Sequence, residues 1–493
     1  MSLLQHTRYI NGRMILKVTG WLLLIEAAFL LIPTAVGLAY GEYDGMVFGC
    51  VAAFTAMVGL AMRAIKSNHS NMGRREGFLL TSSVWIWFSM FGMLPFVLGT
   101  PHYSVSDAFF EAMSGFTTTG ATITEDHMYL PHCMNLWRAL MQWIGGMGII
   151  LFTLAVIPML NSAGGMQMFN AEVTGITHDK VRPRISSTAK ALWGTYIGLT
   201  VALIALLLLG PMDAFDSVVY AFSSISTGGF STTQTSLLDY NSDYVYIVLM
   251  IFMFLGGINF SLIFAAFTGK PKDVWRNEIF RVYVYTVLGF WALLVINILC
   301  QQPLNQLGWQ DLTVYPMFQV ITTITSTGHD TGHFVWWSSF AISMTMLMLF
   351  SGSCAGSTSG GAKLDRIVVL FKNLNNELKR CVHPNAIMSV KIGGKIRPRP
   401  VVDKVVAFMC IYVLVITFGG VALTVMGIPL VDAFFSSFSC VSNTGLGAGV
   451  TGYGTSFAII PDLGKWILSA QMLIGRLEIF TVLIIFTRPF WRK

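Results

Sequence analysis

Apolar residues along this chain come in long runs separated by short polar segments. Neither the strict alternation of a half-buried strand nor the narrow stripe of a soluble amphipathic helix dominates. Ten runs reach or approach the roughly 20 residues that a helix needs to cross a bilayer. They lie near residues 18–40, 46–62, 77–99, 135–160, 188–210, 244–267, 281–300, 335–350, 403–428 and 464–487. The pattern predicts an all-α polytopic membrane protein.

Four of the gaps between runs hold a further apolar segment that ends on Thr-Gly: 107–120 (DAFFEAMSGFTTTG), 215–228 (FDSVVYAFSSISTG), 315–328 (YPMFQVITTITSTG) and 432–445 (DAFFSSFSCVSNTG). Each is too short to cross the membrane as a helix and long enough to enter it and turn back. Aligned on the glycine, Gly120, Gly228, Gly328 and Gly445 fall 108, 100 and 117 residues apart and bring Thr119, Thr227, Thr327 and Thr444 into register. One Thr-Gly between membrane helices carries no weight. Four at similar spacing, each between two spans, are a repeat.

Irregular backbone at membrane depth is tolerated only where it is buried in protein or lines a wet cavity. Four such loops meet that condition by converging on one axis. A ring of backbone carbonyls there can replace the water of a permeating cation, and glycine lets chains approach and carbonyls turn inward. The short helices leading to each glycine aim their partially negative C-terminal ends at the same place. The candidate ligands are Thr118, Thr119 and Gly120; Ser226, Thr227 and Gly228; Ser326, Thr327 and Gly328; and Asn443, Thr444 and Gly445, through the carbonyls of the four threonines above all. Glu125, Asp126, Asp239, Asp243 and Asp330 are expected at the outer mouth, where they would concentrate cations modestly.

Composition removes the alternatives to a membrane protein. Of 493 residues 54% are hydrophobic and 11% charged, and the mean hydropathy is +0.65, which excludes an ordinary soluble domain and a disordered chain. In a soluble domain the net charge of +7 would raise nucleic acid as a partner; here it follows from where the basic residues fall. Residues 76–137, 191–269, 282–362 and 405–464 contain no Lys or Arg, while the segments between them are rich in both. The basic segments and both termini are therefore expected on the cytoplasmic side. Arg138 and Lys465 depart from the pattern and are expected to snorkel at the outer interface, but Arg476 falls near mid-bilayer and calls for a functional explanation. The seven cysteines are scattered and form no CxxC pair, so neither a disulfide framework nor a zinc site is indicated.

The eighth run stops early and enters residues 351–362, twelve in succession that are all Gly, Ala, Ser, Thr or Cys. A helix should break there, with Gly352, Gly356, Gly360 and Gly361 in the break and helix resuming at Leu364. Lys363 comes one residue too late for a phosphate-binding GxxxxGK, and Leu364 replaces its Ser or Thr. Glu478, two positions from Arg476, points to another helix face and is a poor partner for it. Gly145, Gly146, Gly148, Gly256 and Gly257 read as close-packing points, and Asn259 carries no functional claim.

The stretches SGFTTTGAT (114–122), SSISTGGFST (223–232), TTITSTGHDT (322–331), SCVSNTGLGAG (439–449), GSCAGSTSGGAK (352–363) and MLIGRLEIFT (472–481) together resemble the Trk/Ktr/HKT superfamily of potassium transporters, over nearly the whole chain. The two additional N-terminal runs are similar to its TrkH branch. The resemblance implies four M1-P-M2 pore repeats in pseudo-fourfold arrangement: two extra helices in 1–75, then repeats in 76–187, 188–280, 281–400 and 401–493. Four filter glycines imply selectivity for K⁺, the implied bound ion, at Thr119, Thr227, Thr327 and Thr444. The loop with Gly352, Gly356, Gly360 and Gly361 would obstruct the pore and move on opening, and Arg476 would act as a positive barrier beside it. A homodimer in the bacterial inner membrane is implied, with a cytosolic TrkA-like regulatory subunit that would bind NAD or ATP in place of this chain. His329 reads as a mouth residue and not as a pH sensor.

No catalytic constellation occurs, so an enzyme is not expected. A proton- or sodium-coupled potassium symporter is the alternative. It would need a membrane-buried acid near the path, whereas Asp107, Glu111 and Asp432 are expected near the outer surface.

Overall fold

The computed structural model describes residues 10–65, 73–125, 129–148, 185–233, 236–269, 271–332, 339–386, 388–452 and 455–492. Asp126, residues 149–160 of the fourth predicted span, and the basic residues Arg8, Lys66, Lys180, Arg182, Arg184, Lys270 and Lys493 lie outside the described residues.

Two long helices, α1 (Gly12–Tyr40) and α2 (Asp44–Arg63), form an antiparallel pair at the N-terminal end. Their backbones meet at glycines. A Cβ on Gly20 would stand 2.7 Å from the Gly59 carbonyl oxygen, and one on Gly37 2.7 Å from the Cα of Gly45. Helices in lipid associate by this kind of close approach. There follow α3 (Arg74–Gly92), α4 (Leu94–Leu98), α5 (Val105–Phe116), α6 (His132–Gly146), α7 (Ile185–Leu208), α8 (Ala214–Ile225), α9 (Asp243–Gly256), α10 (Phe260–Phe267), α11 (Pro271–Arg276), α12 (Glu278–Gln301), α13 (Trp309–Leu312), α14 (Val314–Ile324), α15 (Ser339–Ser351), α16 (Leu364–Val382), α17 (Arg399–Val425), α18 (Leu430–Val441), α19 (Asp462–Arg476), α20 (Phe480–Leu483) and α21 (Arg488–Trp491). Apolar side chains such as Leu414, Phe418 and Val425 of α17 stand well exposed. Such a surface suits lipid and not water.

Two predicted spans are not continuous helices. The run at 244–267 is broken after Gly256 and turns by 106° into α10, and the run at 464–487 is broken after Arg476 and turns by 109°. Hydropathy sees only the apolar run. The breaks have local causes: Asn259 caps α10 by accepting from Ser261 N at 2.8 Å, and Glu478 and Ile479 both adopt positive φ, of 53° and 40°. The break expected at 351–362 is present between α15 and α16, and α16 continues to Val382. A two-stranded hairpin, β1 (Lys391–Ile392) with β2 (Lys395–Ile396), lies in the basic segment after it, turned by Gly393 and Gly394 at φ 55° and 77°.

The short helices α5, α8, α14 and α18 are the four apolar segments read in the sequence. Side-chain caps fix two entries: Ser104 accepts from Asp107 N at 3.2 Å, and Asp213 accepts from Asp216 N at 2.8 Å. Each longer helix that follows bridges two of them. α6 packs on α5 and α8, α9 on α8 and α14, α15 on α14 and α18, and α19 on α18 and α5. The chain of contacts thus returns to its start.

Candidate functional site

The four short helices end alike. Past Phe116, Ile225, Ile324 and Val441 the backbone N–H groups of Thr119, Gly228, Thr327 and Thr444 donate five residues back, to Ser114, Ser223, Thr322 and Ser439, at 2.8 to 3.0 Å. Thr118, Thr227, Ser326 and Asn443 adopt left-handed φ of 53° to 55°. Two residues later stand Gly120, Gly229, Gly328 and Gly445, again left-handed, at φ 73° to 86°.

This corrects the alignment of the second segment by one residue. The Thr-Gly dipeptide placed Ser226, Thr227 and Gly228 in register, whereas the backbone places Thr227, Gly228 and Gly229 there. Gly228 holds the position occupied by Thr119, Thr327 and Thr444. A signal in the sequence marks the true register: Asp107, Asp216 and Asp432, in the first turns of their helices, each precede the aligned glycine by the same interval.

In the corrected register the four segments close into a ring. A Cβ built on Gly120 would lie 2.1 Å from the Gly228 carbonyl oxygen, on Gly229 2.0 Å from that of Thr327, on Gly328 2.1 Å from that of Thr444, and on Gly445 2.2 Å from that of Thr119. Each glycine therefore abuts the carbonyl of the residue before the next glycine, all the way round. The four glycines are partly exposed while their neighbours on the helix side are buried.

Hydroxyl pairs stiffen the ring from behind. Thr117 meets Thr119 at 2.8 Å, Thr325 meets Thr327 at 2.8 Å, and Ser442 meets Thr444 at 3.0 Å. Asn443 Nδ2 donates to Thr119 Oγ1 at 3.0 Å and to Met472 O at 2.9 Å, tying the last segment to the first. His329 is fully buried and not at the mouth: its Nε2 lies 2.9 Å from Ser224 Oγ and its ring packs on Tyr220. Of the acids expected at the mouth, Glu125 and Asp239 are exposed. Asp243 accepts from Gln310 and Asp330 from Gly332 N, both close to 2.9 Å.

Arg138 and Glu111 also depart from expectation. Both are buried and paired, Arg138 Nε donating to Glu111 Oε1 at 2.8 Å. Glu111 accepts from Ile123 N at 2.9 Å, and Arg138 reaches the Ser231 carbonyl at 3.2 Å and covers the Phe230 ring. The pair joins the chain leaving the first ring segment to the chain leaving the second. Position in the run suggested snorkelling, but the carboxylate of another element comes close enough to hold the guanidinium inside. Lys465 likewise is buried and paired with Asp107 of α5.

Beneath the ring lies the segment 352–363, with Gly352, Gly356, Gly361 and Lys363 at positive φ. It touches the ring directly: Gly360 N donates to Ser326 Oγ at 2.6 Å, and Thr358 Oγ1 donates to Ile225 O at 3.2 Å. Asn259, given no role from the sequence, holds the segment through Nδ2 to Ala355 O at 2.8 Å, and Asp365 accepts from Ala355 N at 2.7 Å. Arg476 NH1 donates to Thr358 O at 2.8 Å and NH2 to Gly145 O and Gly146 O at 2.6 and 2.9 Å. Glu478 pairs with Arg366, not with Arg476. Gly145 and Gly257, read as packing points, do pack: a Cβ on Gly145 would meet Phe116 O at 1.8 Å, and one on Gly257 would meet the Thr325 methyl at 2.9 Å.

These elements define a multi-pass helical membrane protein in which short helices deliver four stretches of backbone to a common ring. A family profile, TrkH, described as cation transport protein, matches residues 46–492. The chain belongs to this transporter family, which is not one of enzymes. It is 37% identical to the Trk system potassium uptake protein TrkH of Escherichia coli K12 over 98% of this chain and 99% of that protein. It is 33% identical to the protein of that name from Halomonas elongata, with the same shares covered. The crystal structure of the potassium transporter TrkH from Vibrio parahaemolyticus superposes with a TM-score of 0.87 at 34% identity, over 97% of this chain and 99% of that one.

Proposed function

We propose that the chain is the membrane subunit of a bacterial potassium uptake system, in the inner membrane, conducting K⁺ and Rb⁺ through the ring. The observation that carries the reading is the closed sequence of glycine-to-carbonyl abutments from Gly120 to Gly228, Gly229 to Thr327, Gly328 to Thr444 and Gly445 to Thr119. Carbonyls fixed this way can replace the hydration shell of a cation without the trapping that carboxylates would cause. The reading includes four pore repeats in pseudo-fourfold arrangement, in 76–187, 188–280, 281–400 and 401–493, preceded by two helices in 1–75. The names of the relatives support potassium as the ion.

The segment with Gly352, Gly356, Gly360 and Gly361 is the gate of this reading, and Arg476 is its positive barrier. A guanidinium bonded to three carbonyls at membrane depth is costly unless it serves the path. Both termini are cytoplasmic, the assembly is a homodimer, and a TrkA-like cytosolic partner supplies the NAD or ATP site. Cation flux into proteoliposomes containing this chain, under an imposed voltage and no pH gradient, tests the proposal. Flux of K⁺ and Rb⁺ well above Na⁺ and Li⁺ is expected. Flux that appears only with a proton or sodium gradient would replace it with coupled transport.

A further inference from the structure

Neither α1 nor α2 supplies a residue of the ring, yet α1 carries a buried acid that no partner among the described residues compensates. Glu26, midway along α1, is wholly buried, and neither of its oxygens meets a hydrogen-bond partner among the described residues. Its Oε1 lies 3.4 Å from the point where a Cβ on Gly92 of α3 would stand, and that point is 2.6 Å from the ring of Phe116, the last residue of α5. Glu26 therefore sits against the wall directly behind the first ring segment.

A polar row leads to it. At the cytoplasmic end Asn11 N donates to Glu76 Oε1 at 3.4 Å, and higher up Glu26 meets Gly92, so α1 and α3 run side by side in parallel. Between these contacts Thr19 of α1 and Thr81, Ser82 and Trp85 of α3 are buried with hydroxyls and indole N–H unpaired. Ser89 finds only the Met113 sulfur, at 3.6 Å. Thr81, Trp85, Ser89 and Gly92 recur at the three- and four-residue spacing of one helix face, and Thr19 and Glu26 share a face of α1. Buried polar groups are as a rule satisfied by protein or by water. Such groups along α1 and α3, left open by the described residues, are a place for water and for protons.

Arg13 and Lys17 of α1 and Arg75 of α3 lie at the cytoplasmic ends of their helices, and other charged groups on the surrounding elements are engaged elsewhere. On α2, Asp44 accepts from Thr100 N, and Arg63 stacks on Trp21. On α3, Glu76 takes the Asn11 bond. On α5, Asp107 pairs with Lys465, and Glu111 pairs with Arg138 of α6. His132, at the start of α6, pairs with Glu42, and the Arg476 guanidinium lies over the Trp85 ring, 5.8 Å from its centroid. An intramembrane carboxyl group in apolar surroundings with no cation beside it marks a functional site by default.

We propose that Glu26 is a proton-binding site outside the ion path, filled from the cytoplasmic side along the α1–α3 row, whose occupancy keeps the wall behind the first ring segment packed. The step is a plain protonation: the carboxylate takes a proton from cytoplasmic water and returns it there. Loss of the proton leaves a charge against Phe116 and Gly92, draws water in and loosens α5. The inference rests on the proposed function for its flux readout and for the cytoplasmic side from which the proton enters.

The test compares the full wild-type chain with Glu26→Gln in proteoliposomes, by voltage-driven Rb⁺ flux against internal pH and by infrared difference spectra between neutral and alkaline pH. Wild-type flux is expected to fall several-fold as internal pH rises, and the variant to match it near neutrality but lose that fall. The carboxylic acid carbonyl band should be present in wild type and absent in the variant. Glu26→Asp, which keeps the acid, serves where Gln does not fold, and should retain a band and a displaced pH response. No band lost would overturn the proton site, and a band lost with parallel flux profiles would overturn its coupling to the ring. A band without selective flux in either protein would support the site while removing the pore reading.

Discussion

Gly228 and Gly229 are adjacent and chemically identical, yet the backbone assigns them different work, and exchanging each for alanine separates the two registers. Gly229 has φ 86°, and its added Cβ would lie 2.0 Å from the Thr327 carbonyl oxygen. The left-handed conformation alone costs an L-residue about 1–2 kcal/mol. Restoring ordinary contact near 3.5 Å would part the second and third segments by about 1.5 Å. Gly228 has no such φ, and its Cβ would meet the Gln142 side chain, with Cδ at 2.3 Å. Gln142 can swing away at the expense of its 3.2 Å bond from Phe230 N, a loss of about 0.5–1.5 kcal/mol. Threonine already stands at the matching position in the other three segments, so a side chain there is compatible with the ring. The expected outcome is that Gly229→Ala abolishes discrimination between Rb⁺ and Na⁺ in proteoliposome flux, while Gly228→Ala keeps most of it. Selectivity lost in Gly228→Ala and kept in Gly229→Ala would refute the corrected register and with it the closed ring.

Glu111→Gln leaves the Arg138 guanidinium buried without its carboxylate and should cost about 3–5 kcal/mol. A clear fall in the detergent melting temperature is expected, and a melt equal to wild type would show that the pair holds nothing. Arg476→Ala removes the bonds to Thr358, Gly145 and Gly146 and should raise basal Rb⁺ flux; unchanged flux would remove Arg476 from the gate. Asn259→Ala frees the Ala355 carbonyl and should speed thiol labelling of Cys354, which is buried. That rate is read in a background lacking the exposed Cys50, Cys300, Cys381 and Cys410, and an unaltered rate would mean that Asn259 does not hold the segment.

What could be read from the sequence follows from which interactions are local. The four short helices and the break at 351–362 depend on composition within one stretch and appear where expected, whereas hydropathy alone misses the breaks in the runs at 244–267 and 464–487. Alignment on the Thr-Gly dipeptide misplaces the second segment by one residue because Gly-Gly at 228–229 offers two choices; the acid in the first turn of three of the four helices, Asp107, Asp216 and Asp432, fixes the phase. The burial of Arg138 and Lys465 was illegible for another reason. Each is held by a carboxylate from a different element, Glu111 and Asp107, and no periodicity within a run reports a partner so far away. Glu26 stands within the first run, but its lack of partners among the described residues is a property of the packed structure alone.

Close backbone approach at the ends of the helices after the ring segments joins the ring to the segment beneath it. α6 ends at Gly146, α9 at Gly256, α15 at Ser351 and α19 at Arg476, and α6, α19 and the segment after α15 come upon the backbone at the end of a short helix. There a Cβ would collide: Gly146 with Ser226 Cα at 2.8 Å, Gly360 with Ser442 O at 2.1 Å, Gly475 with Val441 O at 2.1 Å. Only glycine admits that approach, and the helix cannot continue straight past the obstacle, so it stops or turns. After α9 and α19 a sharp turn suffices, but after α15 the chain needs twelve small residues to pass under the ring. That is why Arg476 can reach Thr358 and the end of α6 with one side chain, and why any movement of 352–363 away from the axis must first break bonds made by Arg476, Asn259 and Ser326 together.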